Sequence, residues 1–226
     1  MTSQAPEASN RPRTRAAYVA FAESIERLCR RDPGARAALR AGLRRDVDHP
    51  RARPMHRLLT TRLPEECDDR TAQAHYTIAS LIAAQPRHAF APDQEDGEDT
   101  VAEQGVGVLE ESGAPDEKAA ASDSTPSYPA PYGSSFGATL GHAVIAKGAS
   151  MRMSAAENRI NLLTRQSLRG IHLHLPAAVN QVRATDSPID WGQLLADLVD
   201  WPHQSGRISR RWLQDFYRIT AGADRD

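Results

Sequence analysis

The sequence predicts an all-α protein of about nine helices, arranged as two helical bundles joined by a disordered acidic linker. Three observations lead there. Apolar residues recur three and four positions apart through most of the chain, and no stretch alternates as a strand does. Aromatic residues are 5% of the 226, which points to a core of small and aliphatic side chains rather than a β-rich one. From residue 91 to 133 the periodicity stops, and a run rich in Gly, Pro, Ala, Ser and acids takes its place. Such a run buries too little to offset its ordering entropy. The chain divides accordingly into a disordered tail (1–15), a first bundle (16–90), the linker (91–133) and a second bundle (134–226).

Each helix has its own signature. From Ala16 to Arg30, the residues Tyr18, Phe21, Ile25 and Leu28 share a face. Asp32 then Pro33 opens the second helix, an N-cap followed by the residue that tolerates a missing N–H. "RPMHRLLTTRL" supplies a short third helix. "DRTAQAHYTIASLIAAQP" supplies a mostly apolar fourth, ended by Pro86 and expected at the centre of the first bundle. Beyond the linker come "FGATLGHAVIAKG" and "SAAENRINLLTRQ", the latter with a capping box at Ser154 and Glu157 and with Met153, Ile160 and Leu163 facing inward. In "SLRGIHLHLPAAVNQVRA" Leu168, Ile171, Leu175, Val179 and Val182 are in phase. Pro176 is expected to kink that helix, since it lacks a donor and crowds the carbonyl of His172. "DSPIDWGQLLADLVDW" takes Ser187 as cap and Pro188 in its first turn, and turns Trp191, Leu194, Leu195 and Leu198 inward. "GRISRRWLQDFYRIT" does the same with Ile208, Trp212 and Phe216.

Composition excludes several classes. No apolar run approaches a membrane span, and the start, "MTSQAPEASNRPRTR", lacks the apolar core of a secretory signal. A cytoplasmic protein with no membrane partner is expected. Cys29 and Cys67 have no metal or redox spacing and read as small buried hydrophobes in a reducing compartment. The net charge of −1 conceals a segregation. Residues 91–133 hold eleven acids against Lys118, or −10, which leaves +9 on the other 183 residues. A basic body suits a polyanionic partner; the acidic run reads first as a tolerated insertion that stays soluble, with competition for the basic face as the alternative.

The sequence holds no convincing catalytic constellation. Ser135 lies in "GSSFG", but the nucleophile elbow needs a buried strand before the serine, and "STPSYPAPY" is not one. His172 and His174, two apart on a helix, point about 200° apart and do not share an ion. Asp197 and Asp200 lack a third ligand and read as a solvated face. There is no P-loop, dinucleotide fingerprint or zinc spacing. The expectation is a protein that is not an enzyme, with no cofactor and no metal.

The arginines remain. In "RDPGARAALRAGLRRD" Arg36, Arg40 and Arg44 fall within about 80° of one another on a helix, along about 12 Å, with Leu39 and Leu43 on the neighbouring face. No carboxylate sits within the stripe, whereas exposed helical arginines usually have one three or four residues away. Forked, permanently charged donors in a row suit backbone phosphates. The second half adds Arg159, Arg165 and Arg169, then Arg207, Arg210 and Arg211 on the last helix. These nine form the candidate nucleic-acid site. The chain uses 26 arginines and two lysines, so single positions weigh less than the surplus.

The ordered motifs "RDPGARAALR", "HRLL", "YTIASLIA", "GATLGHAV", "ENRINLLTRQ", "IDWGQLLADLVDW" and "RRWLQDFY" resemble the CasB-type small subunit of Cascade, the type I-E CRISPR surveillance complex. The resemblance covers both helical halves but not the tail or the linker. It implies a non-catalytic two-bundle protein, present in two copies, whose partners are the other Cascade subunits, the crRNA and the target and non-target DNA strands. It also implies that basic residues hold the displaced strand and brace the crRNA–target duplex. By motif position Arg159 and Arg165 match basic positions of the family, and Arg207, Arg210 and Arg211 fall in its basic last helix. Two positions depart: His142 stands where arginine is common, and Pro176 and Ala177 stand where basic residues are common. The competing readings are a helical adaptor for acidic protein partners and a helix-turn-helix regulator, for which no convincing helix pair is found.

Overall fold

A computed structural model describes residues 11–65, 67–86, 90, 133–146, 151–185 and 187–223. Among them eight α-helices form: α1 (Arg11–Arg31), α2 (Pro33–Arg40), α3 (Arg53–Leu59), α4 (Asp69–Ala83), α5 (Phe136–Ile145), α6 (Met153–Leu163), α7 (Leu168–Arg183) and α8 (Trp191–Ala223). Short 3-10 turns at Pro50–Ala52 and Thr60–Arg62 flank α3. No strand occurs among the described residues, so the protein is all-α. The two last helices expected from sequence are the two parts of α8, which is broken at Gln204 (φ −130°, ψ 18°) just after Pro202. The acidic linker expected at 91–133 lies, up to Tyr132, outside the described residues.

Helix starts follow local chemistry, with two corrections. Asp32 accepts from Ala35 N at 2.9 Å with Pro33 behind it, as expected. Asp68 accepts from Thr71 N at 2.8 Å, and Ser135 and Ser167 do the same for α5 and α7. The capping box at Ser154 and Glu157 does not form. α6 begins at Met153, Arg152 is its cap residue and contributes no side-chain bond, and Met153 is exposed rather than inward. Ser187 does not cap α8 either. Asp190 stands three residues closer to the apolar run, and its Oδ1 accepts from Gln193 N at 2.8 Å. Separately, α1 begins at Arg11, inside the tail expected at 1–15, and its Arg15 donates to Asp190 Oδ2 at 3.0 Å.

The core is contiguous across the gap in sequence. Phe21 and Ile25 (α1), Ile78 and Ile82 (α4), Leu140 (α5), Ile160 (α6), Leu175 and Val179 (α7) and Leu195 and Trp212 (α8) belong to one buried cluster. α4 is buried on every side from Ala74 to Ala83, as its apolar sequence predicts. Phe136, Trp212 and Trp201 pack in a row with their ring planes tilted, centroids 5.6 and 5.4 Å apart.

His172 sits where α4 meets α7. It is 7% exposed, its Nδ1 pairs with Thr77 Oγ1 at 2.9 Å, and its Nε2 is buried without a partner. Burial pushes its pKa down to about 4, and the Asp46 carboxylate opposes this only in part. The folded imidazole is therefore neutral where the unfolded one, near 6.5, is protonated. As pH falls from 6.5 towards 4 the unfolded chain takes up a proton the folded chain refuses. The resulting loss of stability is about 3 kcal/mol. Above pH 6.5 the group contributes no pH dependence. Urea unfolding at pH 4.5 and pH 7 should show wild type losing more stability than His172→Gln. Equal losses would mean that the ring is solvated.

Candidate nucleic-acid interface

The row of Arg36, Arg40 and Arg44 is not a helical stripe. α2 ends at Arg40, and residues 41–44 form a turn. Gly42 packs so closely there that a Cβ would meet Met55 Sδ at 2.1 Å and Ser80 Oγ at 3.0 Å. Arg44 then adopts a left-handed backbone, φ 61°, so its side chain leaves from non-helical geometry.

Arg36 has a partner that the acid-spacing rule does not detect. Its Nε donates to Ala83 O at 3.1 Å, its Nη2 donates to Gln85 O, and its guanidinium lies 4.8 Å from the centre of the Phe90 ring. Arg183, at the end of α7, donates to Ala84 O at 3.0 Å and to Leu81 O. Two arginines, one from each half, thus take the last carbonyls of α4. That end of the helix carries unpaired acceptors and partial negative charge. Burial pushes the Arg183 pKa down to about 10, and the nearby Arg40 charge adds to the effect. Nothing in the sequence marks Arg183 for this role beyond its place in a last helical turn.

The other candidates divide the same way. Arg159 is half-buried, with Nε on Gln181 Oε1 at 2.8 Å. Arg211 is half-buried and paired with Asp197. Arg207 is exposed and bonds Gln204 Oε1 at 3.2 Å. Arg169 is exposed, with a loose ion pair to Asp46 at 3.9 Å. Arg40, Arg44, Arg165 and Arg210 are exposed, and their side chains carry no hydrogen bond or ion pair among the described residues. Of the nine candidates, these four and Arg169 are the exposed ones without a close side-chain hydrogen bond.

Asp197 overturns the solvated-face reading, which holds for exposed Asp200 but not for its neighbour. Asp197 is 3% exposed. It accepts from Gln193 Nε2 at 2.8 Å, from Trp212 Nε1 at 2.6 Å and from Arg211 Nη2. Burial pushes the carboxyl up, while Arg211 and these donors pull it back. Three N–H groups converge on it, an arrangement that the carboxylate satisfies fully. Gln193 passes the network on by accepting from Gly133 N at 2.9 Å.

The remaining motifs resolve into structure. Ser135 Oγ caps α5 and donates to Asp215 Oδ2 at 2.7 Å. His172 is buried and His174 half-buried; Cys29 is buried and Cys67 half-buried. No group of three or more His, Cys, Asp or Glu among the described residues is placed to hold a metal ion. No described helix is long and apolar enough to cross a membrane.

The chain resembles a solved chain titled "CRISPR RNA-guided surveillance complex" at 28% identity and TM-score 0.68, covering 94% of this chain and 98% of that one. A second, titled "CRISPR RNA-guided surveillance complex, pre-nicking", matches at 28% identity and TM-score 0.69, covering 93% and 97%. The crystal structure of M. ruber CasB shares the fold at 18% identity and TM-score 0.55, covering 90% and 96%. A sequence comparison with curated proteins finds no match. The family model for CRISPR-associated protein Cse2 matches residues 35–217, and the chain belongs to that family.

Proposed function

We propose that this protein is the non-catalytic small subunit of a type I-E CRISPR Cascade surveillance complex, working in the cytoplasm beside a second copy of itself. In that role it binds the displaced non-target DNA strand and braces the crRNA–target duplex. The observation that carries the reading is the near-complete, end-to-end likeness to a chain of an RNA-guided surveillance complex, within a matched family. The physical argument is consistent with it. Exchanging a DNA duplex for a guide–target hybrid is nearly balanced in free energy. A surface that holds the displaced strand by its phosphates therefore shifts the balance without reading sequence. Arg40, Arg44, Arg165, Arg169 and Arg210 are the side chains on which this reading rests, with Arg207 beside them.

Co-purification with a complex containing guide RNA tests the assembly. For the DNA contact, the isolated protein should bind single-stranded DNA weakly, with log affinity falling linearly in log salt. Arg165→Ala with Arg210→Ala should reduce that slope by about 1.4, at about 0.7 per phosphate contact. Both side chains are exposed, so folding stability should change by under about 0.5 kcal/mol each. Alanine at Arg11 and Arg13, which precede the family match, is the control. An equal loss in the control would indicate diffuse charge, and binding of acidic protein but not DNA would favour the adaptor reading.

A further inference from the structure

Among the described residues one non-glycine has a positive φ, and it is an arginine of the candidate interface. Arg44 stands at φ 61°, a left-handed backbone that glycine adopts freely and an L side chain adopts at a cost. Nothing in the fold uses the side chain. It is exposed, with no hydrogen bond or ion pair among the described residues. The nearest acid in sequence is engaged elsewhere, since Asp46 Oδ2 lies 3.9 Å from Arg169 Nη2 of α7.

Strain of this kind persists only where the surroundings over-determine the backbone, and here they do. Before Arg44, Gly42 lies so close to Met55 of α3 and Ser80 of α4 that a Cβ has no room, and Leu43 packs against the core. After it, Val47 packs against the same core. Gln73 of α4 closes the segment from the side. Its Oε1 accepts from Val47 N at 2.9 Å, and its Nε2 donates to Arg45 O at 3.1 Å. One side-chain amide thus takes both a carbonyl and an N–H of the turn, as a backbone peptide would. The same Nε2 donates to Thr77 Oγ1 at 3.3 Å, and that hydroxyl pairs with His172 Nδ1 of α7 at 2.9 Å. The buried junction of α4 and α7 therefore fixes which way the amide faces.

We propose that the 42–47 turn is a strained mount for the Arg44 guanidinium, that Gln73 is its positioning residue, and that it is held for a phosphodiester of a nucleic-acid strand. The choice of phosphate rests on the function proposed above; the mount does not. An arginine whose backbone is already fixed loses less freedom on binding than one on a free loop. That gain in the complex is the return for strain carried in the free protein.

Arg44→Gly separates strain from contact, because the two move in opposite directions. Glycine keeps the left-handed backbone without cost, so the melting temperature should rise by about 2 °C. The same change removes one phosphate contact, so the salt slope for a single-stranded probe should shrink by about 0.7. Over a fourfold rise in salt, wild type should then lose about 2.6 times more affinity than the variant. Oligo-dT and oligo-U run side by side assign the strand: the probe whose slope falls is the one contacted. Gln73→Leu fills similar space without either bond and should reduce the slope by the same amount. In its background Arg44→Gly should neither reduce the slope further nor raise the melting temperature as much, since the released turn has already relaxed. A Gln73 that only supports the fold would instead lower the melting temperature, leave the slope, and leave the gain from Arg44→Gly unchanged; that result would overturn its positioning role. A melting temperature that does not rise in Arg44→Gly would overturn the strain. An unchanged slope in Arg44→Gly, with Arg165→Ala and Arg210→Ala still reducing it, would overturn the contact and leave the proposed function standing. No salt-dependent binding by wild type would overturn that function and the phosphate with it, while the coupling of melting temperatures between Arg44 and Gln73 would still decide the mount.

Discussion

Gly137→Ala should lower the melting temperature by about 6 °C or more, at about 2–4 °C per kcal/mol for a chain of this size. A Cβ at Gly137 would meet the backbone of α8: Trp212 O at 1.9 Å, its carbonyl carbon at 2.5 Å and its Cα at 2.6 Å. No rotamer relieves a clash with backbone, so α5 and α8 must move apart. Such overpacking costs about 1–3 kcal/mol and more when the neighbour is rigid. Gly141, one turn on, faces the same helix, with Phe216 O at 3.3 Å from its Cβ position. Separation would also loosen the contact of Phe136 with Trp212, whose rings lie 5.6 Å apart. The control is Gly206→Ala on α8, where a Cβ meets nothing within 4 Å. Alanine there should raise the midpoint by about 2 °C, because glycine inside a helix costs up to about 1 kcal/mol. Matched melting curves for the two variants would mean that the α5–α8 approach is not as close as described.

The helices were legible because their information is local. A 3.6-residue period repeated over several turns is a strong signal, and Asp32 with Pro33 marks a start in two residues. Starts were misplaced where several polar residues crowd one junction. Ser187 and Asp190 both qualify as caps, and only packing of Trp191 and Leu194 in the core selects Asp190. The arginines were harder for a physical reason. Spacing rules detect carboxylate partners three or four residues away. Arg36 is instead satisfied by carbonyls 47 and 49 residues away, and Arg183 by carbonyls about a hundred residues away. Backbone acceptors carry no sequence label, so a guanidinium that closes a helix end looks the same as one that faces solvent. Asp197 was misread in the converse way. It shares its residue type and helix with Asp200, and only tertiary structure supplies Trp212 and Arg211 to one carboxylate and water to the other.

That buried carboxylate is where a single substitution should do most harm. Asp197→Ala removes the acceptor for Gln193 Nε2, Trp212 Nε1 and Arg211 Nη2 together. Trp212 is fully buried, so its N–H has no water to turn to, and Arg211 keeps a charge in a half-dry site. Breaking a buried pair from one side costs about 3–5 kcal/mol, a large share of the ~5–15 kcal/mol that holds a typical domain folded. Urea midpoints should fall accordingly, and expression should suffer with them. Replacing the pair with apolar groups is a different experiment, since no stranded charge remains. Asp197→Leu combined with Arg211→Met should recover more than half of the loss, leaving mainly the unpaired Trp212 N–H and the buried Gln193 amide N–H. The double variant also separates two roles for Arg211. If the guanidinium serves only Asp197, the refolded double variant should bind single-stranded DNA as wild type does, with the same salt slope. A slope reduced by about 0.7, the value of one phosphate contact, would return Arg211 to the interface despite its buried partner. No recovery of stability in the double variant would mean that the carboxylate's bonds to Gln193 and Trp212, rather than its pairing with Arg211, hold α8 in place.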